Sequence, residues 1–125
     1  MILISTIVLF LDMKQWKVLL KYLEPMERFE DYNIRDTILL FGSARIKSRE
    51  MAEAALADAK KNGGDVGRAE RDLLHSRYYE DTRELAFRLT EWSKQLNAPG
   101  RRFVICSGGG PGIMEAANRG ASEAK

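Results

Sequence analysis

Residues 103–120 read Phe-Val-Ile-Cys-Ser-Gly-Gly-Gly-Pro-Gly-Ile-Met-Glu-Ala-Ala-Asn-Arg-Gly, and this order decides the fold. A short apolar run ends in a glycine loop, and the loop opens an alanine-rich helical pattern. Such a loop between a strand and a helix lets backbone N–H groups close around an anion, and the helix N-terminus adds partial positive charge. The stretch therefore reads as a seat for a phosphorylated ligand, with the N–H groups of Gly108, Gly109, Gly110 and Gly112 as donors. The spacing is not that of a dinucleotide fingerprint. Gly108-x-Gly110 is followed by Pro111, Gly112 and Ile113, so the third glycine of G-x-G-x-x-G is missing, and no Lys-Ser/Thr follows as a P-loop requires. The glycines by themselves also fit a tight turn that holds no ligand.

A second strand is expected upstream. Thr37-Ile38-Leu39-Leu40-Phe41 is apolar without alternation, as a strand buried on both faces requires, and Gly42-Ser43 end it. Ser48 is a candidate N-cap for a helix over Met51, Ala54, Ala55 and Leu56, with Asn62-Gly63-Gly64 as its stop. A later helical pattern puts Leu85, Leu89, Trp92 and Leu96 on one face, and Asn97-Ala98-Pro99-Gly100 closes it. The segment from Ile46 to His75 exceeds what a simple crossover needs and reads as an inserted, charged, solvated helix. Phe103–Cys106 is the next strand. The unit is βαβ, with the two strands parallel and adjacent and the crossover right-handed. Gly42-Ser43 and Ser107–Gly112 then share the carboxyl edge of the sheet, where open α/β sheets bind ligands.

Several side chains along this edge carry possible chemistry. Glu115 falls in the first turn after the glycine loop. It either favours the helix dipole or serves as an acceptor for ribose hydroxyls or a catalytic carboxylate. Arg45 is either a planar fork for phosphate or a solvated surface residue. Ser43 can donate to a ligand or cap the next turn, and Met114 can face the core or pack on a purine. Cys106 reads as a small apolar residue at a strand end, and no partner base activates it as a nucleophile. His75 has no second ligand nearby in sequence, so no metal site is expected.

Composition sets outer limits. The 125 residues suffice for a domain with a core. Net charge is +2, so bulk electrostatics give no reason to expect a nucleic-acid partner. A single cysteine excludes an intrachain disulfide and fits a reducing cytoplasm. The apolar run Met1–Leu11 is too short to span a bilayer. No basic residue precedes it, so neither a signal peptide nor a membrane partner is expected. Trp16, Leu19, Leu20, Leu23, Met26 and Phe29 recur at helical spacing, with Pro25 expected to end one helix near Leu23 and start another turn. Residues 1–35 thus read as an apolar segment with a helical extension, and residues 36–125 as the ligand-binding domain.

The full string Ser107–Ala121 resembles the first signature of the Lonely guy family, whose members were long labelled lysine decarboxylase-like. Phe41-Gly42-Ser43-Ala44-Arg45 is similar to that family's Gly-Ser loop after its first strand. Tyr78-Tyr79-Glu80-Asp81-Thr82-Arg83-Glu84-Leu85-Ala86 is similar to the helix between the two strands. The resemblance covers residues 37–124. It implies an α/β fold, a Rossmann-like parallel sheet flanked by helices, here its N-terminal part. It implies hydrolysis of the N-glycosidic bond of nucleoside 5′-monophosphates, AMP-like ligands, releasing base and ribose 5-phosphate without a cofactor, in a homo-oligomer. It assigns Gly42, Ser43, Arg45, Gly108, Gly109, Gly110, Gly112 and Met114 to nucleotide binding and Glu115 to catalysis. The family's other signature, Pro-Gly-Gly-x-Gly-Thr-x-x-Glu, carries the phosphate loop and a catalytic glutamate, and it does not occur in these 125 residues. The expectation is a fragment or truncated form, a nucleotide-binding half-site inactive by itself. A non-catalytic nucleotide-binding or assembly module is the alternative.

Overall fold

The computed structural model describes residues 26–124. The apolar segment 1–11 and the helix expected to end near Leu23 lie outside the described residues. Contacts divide the chain into Met1–Arg35 and Asp36–Lys125. In the first unit residues 26–31 are helical. The helix closes with the Tyr32 N–H donating to the Arg28 carbonyl at 3.0 Å and the Ile34 N–H to that of Phe29 at 2.7 Å.

The second unit runs β1 (Thr37–Leu39), α1 (Arg49–Asn62), α2 (Val66–Lys94), β2 (Val104–Cys106), α3 (Ile113–Glu123). It is a mixed α/β unit, mostly helical, with a two-stranded parallel sheet. Thr37, Ile38 and Leu39 pair with Val104, Ile105 and Cys106. One further bond extends the pairing at each end, Val104 N–H to Asp36 at 3.0 Å and Leu40 N–H to Cys106 at 2.9 Å. α2 contacts α1, α3 and β2, and α3 contacts β2 as well.

Both strands are shorter than expected. Phe103 adopts φ 54°, a left-handed conformation that strand geometry excludes. Its ring meets Trp92 of α2 at a centroid distance of 5.2 Å, so the residue serves packing between elements and β2 starts one position later. Phe41 falls beyond the last ladder bond and is 65% exposed. Burial of β1 on both faces does not occur either. Thr37 and Leu39 are exposed, and among the described residues no helix packs closely on β1 as α2 and α3 do on β2.

Local capping rules account for the helix ends. The Ser48 hydroxyl accepts from the Met51 N–H at 3.3 Å, and Gly63 ends α1 at φ 74°. Asp65 caps α2 by accepting from the Arg68 N–H at 3.0 Å. The stretch Ile46–His75 is therefore not one inserted helix. It is α1, a glycine turn, and the first turns of a helix of 29 residues.

The buried face of α2 also differs from the leucine stripe. Its buried residues are Ala69, Ser76, Tyr79 and Ala86, whereas Leu85 and Trp92 are about half exposed. The cause lies in α3, which presents Ala116, Ala117 and Gly120. A Cβ built at Gly120 would overlap the Arg83 main chain, so the two helices touch backbone to backbone there. A seam this narrow leaves no room for a leucine beside Gly120, while Tyr79 is buried further along, where its hydroxyl reaches Glu115. Across its margin Arg83 forms a two-pronged ion pair with Glu123, at 2.9 and 2.5 Å.

Candidate functional site

The parallel pairing brings the Gly42-Ser43 loop and the glycine loop to one rim, and direct contacts lock them together. The Ile113 N–H, first of α3, donates to the Ser43 carbonyl at 3.1 Å. Gly112 has φ 75° and ψ −126°, and a Cβ there would overlap the Ser43 carbonyl oxygen. A Cβ at Gly42 would fall 2.5 Å from the Ile113 side chain. Glycine at 42 and 112 thus lets the loops close on one another. Neither residue needs a ligand to explain it.

Gly109 differs from these two. It has φ 73°, yet the space around its missing Cβ is open. Its N–H donates to the Ser107 hydroxyl at 3.2 Å, and that hydroxyl donates to Asn118 Oδ1 at 2.9 Å. An anion at this loop must replace the Ser107 oxygen at the Gly109 amide. Met114 turns its thioether toward the loop, within 3.3 Å of where a Gly108 Cβ would stand, so the methionine backs the glycines. Ser43 caps its own turn, its hydroxyl accepting from the Arg45 N–H at 3.2 Å.

Glu115 lies in the first turn of α3 and is exposed. Its Oε1 accepts from the Tyr79 hydroxyl at 2.9 Å, across 36 residues of sequence. Tyr79 is 1% exposed, the largest fully buried side chain described. Burial pushes its phenol above the ordinary value; the Arg119 guanidinium pulls the other way, and the Glu115 carboxylate adds to the rise. The phenol stays protonated and remains a donor that holds the carboxylate. Tyr79 is the site residue that sequence reading missed. It sits inside the Tyr78–Ala86 string, but nothing in that string reports a partner on α3.

Two clefts flank this pair. One, of about 920 Å³, is walled by the Ser43–Ser48 loop, by Arg68, Arg71, Asp72 and His75 of α2, and by Pro111, Gly112 and Glu115. The other, of about 600 Å³, is bounded by Gly109, Gly110, Pro111, Glu115, Asn118 and Arg119. Pro111 and Glu115 line both. Arg45 and Ser43 open on the first cleft and Gly109 and Gly110 on the second, while Gly42, Gly108 and Met114 line neither. In the first cleft Lys47 binds Asp72 at 2.9 Å, and this ammonium holds the Asp72 carboxyl below its ordinary value.

Among the described residues, no group of three or more His, Cys, Asp or Glu could hold a metal ion. Cys106 is a half-buried free thiol at the end of β2. No helix of the described residues is long and apolar enough to cross a membrane. No family model, curated protein or solved structure matches the chain.

Proposed function

We propose that this chain is the nucleotide-binding part of a nucleoside 5′-monophosphate phosphoribohydrolase of the Lonely guy type, in which the sheet is the start of a Rossmann-like one. The observation that carries the reading is the rim: two glycine-bearing loops at the carboxyl ends of adjacent parallel strands, tied by the Ser43–Ile113 bond, with Glu115 beside them. The phosphate would sit at the glycine loop, where Gly109 has room for close approach and α3 begins. Cleaving the N-glycosidic bond builds positive charge on the ribose. The Glu115 carboxylate, steadied by Tyr79, would face that charge. We place the protein in the reducing cytoplasm, as a homo-oligomer, with AMP-like nucleotides as ligands.

The 125-residue chain by itself supplies too little for turnover. Glu115 is the one carboxylate common to both clefts, and Asp72 is occupied by Lys47. Hydrolysis also needs a group to activate or place water. The same observation favours the second reading, a nucleotide-binding module without chemistry.

Calorimetry with AMP tests the seat. Binding by the parent, weakened about tenfold or more in Gly109→Val, supports it; equal binding by both would show that the loop is not the site. An assay for released adenine separates the two readings. No release above background is expected from this chain. A longer chain carrying Pro-Gly-Gly-x-Gly-Thr-x-x-Glu should release adenine and lose that activity in Glu115→Ala, whereas a silent longer chain favours the module.

A further inference from the structure

We infer that the outer face of α2 is a docking surface for a second copy of this chain, laid antiparallel to the first. This gives the homo-oligomer proposed above an interface, and it does not depend on what the glycine loop holds. The inner face of α2, with Ala69, Ser76, Tyr79 and Ala86, is buried. About half a turn away round the helix lie Leu74, Tyr78, Asp81, Leu85, Arg88 and Trp92. They follow one another at alternating steps of four and three residues, the spacing of a coiled-coil seam. All six are exposed, the four apolar ones between 45% and 64%. Trp92 meets Phe103 with part of its ring and still keeps the rest in solvent. Single exposed apolar residues are ordinary, but four aligned along about 27 Å of one helix form a surface.

The charges on the stripe select the occupant and its direction. In a parallel pair each position meets its own copy, so Asp81 would face Asp81 and Arg88 would face Arg88. In an antiparallel pair centred near Arg83, Leu74 lies opposite Trp92 of the second copy and Tyr78 opposite Arg88. Asp81 lies opposite Leu85 of the second copy, with Arg88 flanking it. Each Arg88 then meets an aromatic face on one side and a carboxylate on the other, and the arrangement occurs twice. A contact of this kind is self-complementary and closes at two copies. Both charged groups are available for it. Asp81 makes no ion pair among the described residues; it lies in the field of Arg77, whose guanidinium is hydrogen-bonded to the Tyr78 hydroxyl. Arg88 pairs with Glu84 of its own helix, but the two side chains are 74% and 60% exposed, so that pair is solvated and weak.

The test is charge reversal across the seam, read by sedimentation equilibrium. It is done in the Leu39→Lys/Phe41→Lys background, which removes the exposed apolar side chains beside the sheet. The background protein should form a species of twice the 14.2 kDa of one chain. Asp81→Arg and Arg88→Asp each set like charges against one another, and each should weaken the dimer about tenfold or more. Adding both reversals to one chain should restore it. Mixing the two single variants should restore it as well, because every pair across the seam then joins opposite charges. Asp81 and Arg88 are exposed, so circular dichroism should not change. A dimer indifferent to the single reversals, or one that the double variant or the mixture fails to restore, overturns the inference and leaves the homo-oligomer to another surface. A monomer at every concentration overturns both.

Discussion

At the scale of single residues, the glycines of one loop do different work, and substitution separates them. Alanine at position 112 must accept both a left-handed φ and an overlap with the Ser43 carbonyl. We expect Gly112→Ala to cost about 3 kcal/mol or more in urea unfolding. Gly109→Ala meets only the conformational penalty, since the space is open, and should cost about 1–2 kcal/mol. Equal losses would mean that the two loops do not press together at Gly112. The sequence showed a glycine cluster but could not rank its members, because the rank depends on which carbonyl arrives from a loop far up the chain. Tyr79→Phe removes the hydroxyl that holds Glu115. It should cost about 1–2 kcal/mol. An unchanged midpoint would show that this hydrogen bond contributes nothing.

At the scale of elements, the helix ends were legible and the helix faces were not. Ser48 and Gly63 act through bonds a few residues long, so sequence alone reports them. Near Arg83 the buried face of α2 is set by α3, whose Gly120 lets the backbones meet, and no periodicity within α2 contains that information. Phe103 is a similar case: an apolar residue before a strand leaves the ladder to meet Trp92. The ion pairs that bind these elements predict a pH response. The Lys47 ammonium lowers the Asp72 carboxyl from its ordinary 3.8, and the Arg83 guanidinium lowers Glu123 from its ordinary 4.5. A carboxyl depressed in the folded state stabilises it fully above those ordinary values, and the contribution fades as pH falls through the depressed ones. Asp72→Asn and Glu123→Gln should each lower the Tm modestly near neutrality, more in low salt than in high. The gap from the parent should close in strong acid. A gap that widened with falling pH would contradict the pairing.

For the whole molecule, the parallel pairing of the two strands was readable because each is a short apolar run followed by a glycine turn. What covers the sheet was not readable, and the exposed side chains have a consequence in solution. Leu39 and Phe41 are 57% and 65% exposed beside a two-stranded sheet. Apolar side chains next to open strand edges favour association. Light scattering at high concentration should give a mass above that of one chain, reduced in Leu39→Lys/Phe41→Lys; a monodisperse monomer would refute this. The same sheet also orders events in time. α1 and α2 meet across a short turn, whereas the Asp36–Arg102 pair beside the sheet joins residues 66 apart. Local contacts form early and long closures late. Pulsed hydrogen exchange during refolding should protect the amides of α1 and α2 before those of β1 and β2. Because the rim exists only once the strands have paired, a nucleotide bound as proposed should leave the refolding rate unchanged and slow unfolding, so the lifetime of the folded chain becomes a measure of whether the glycine loop is occupied.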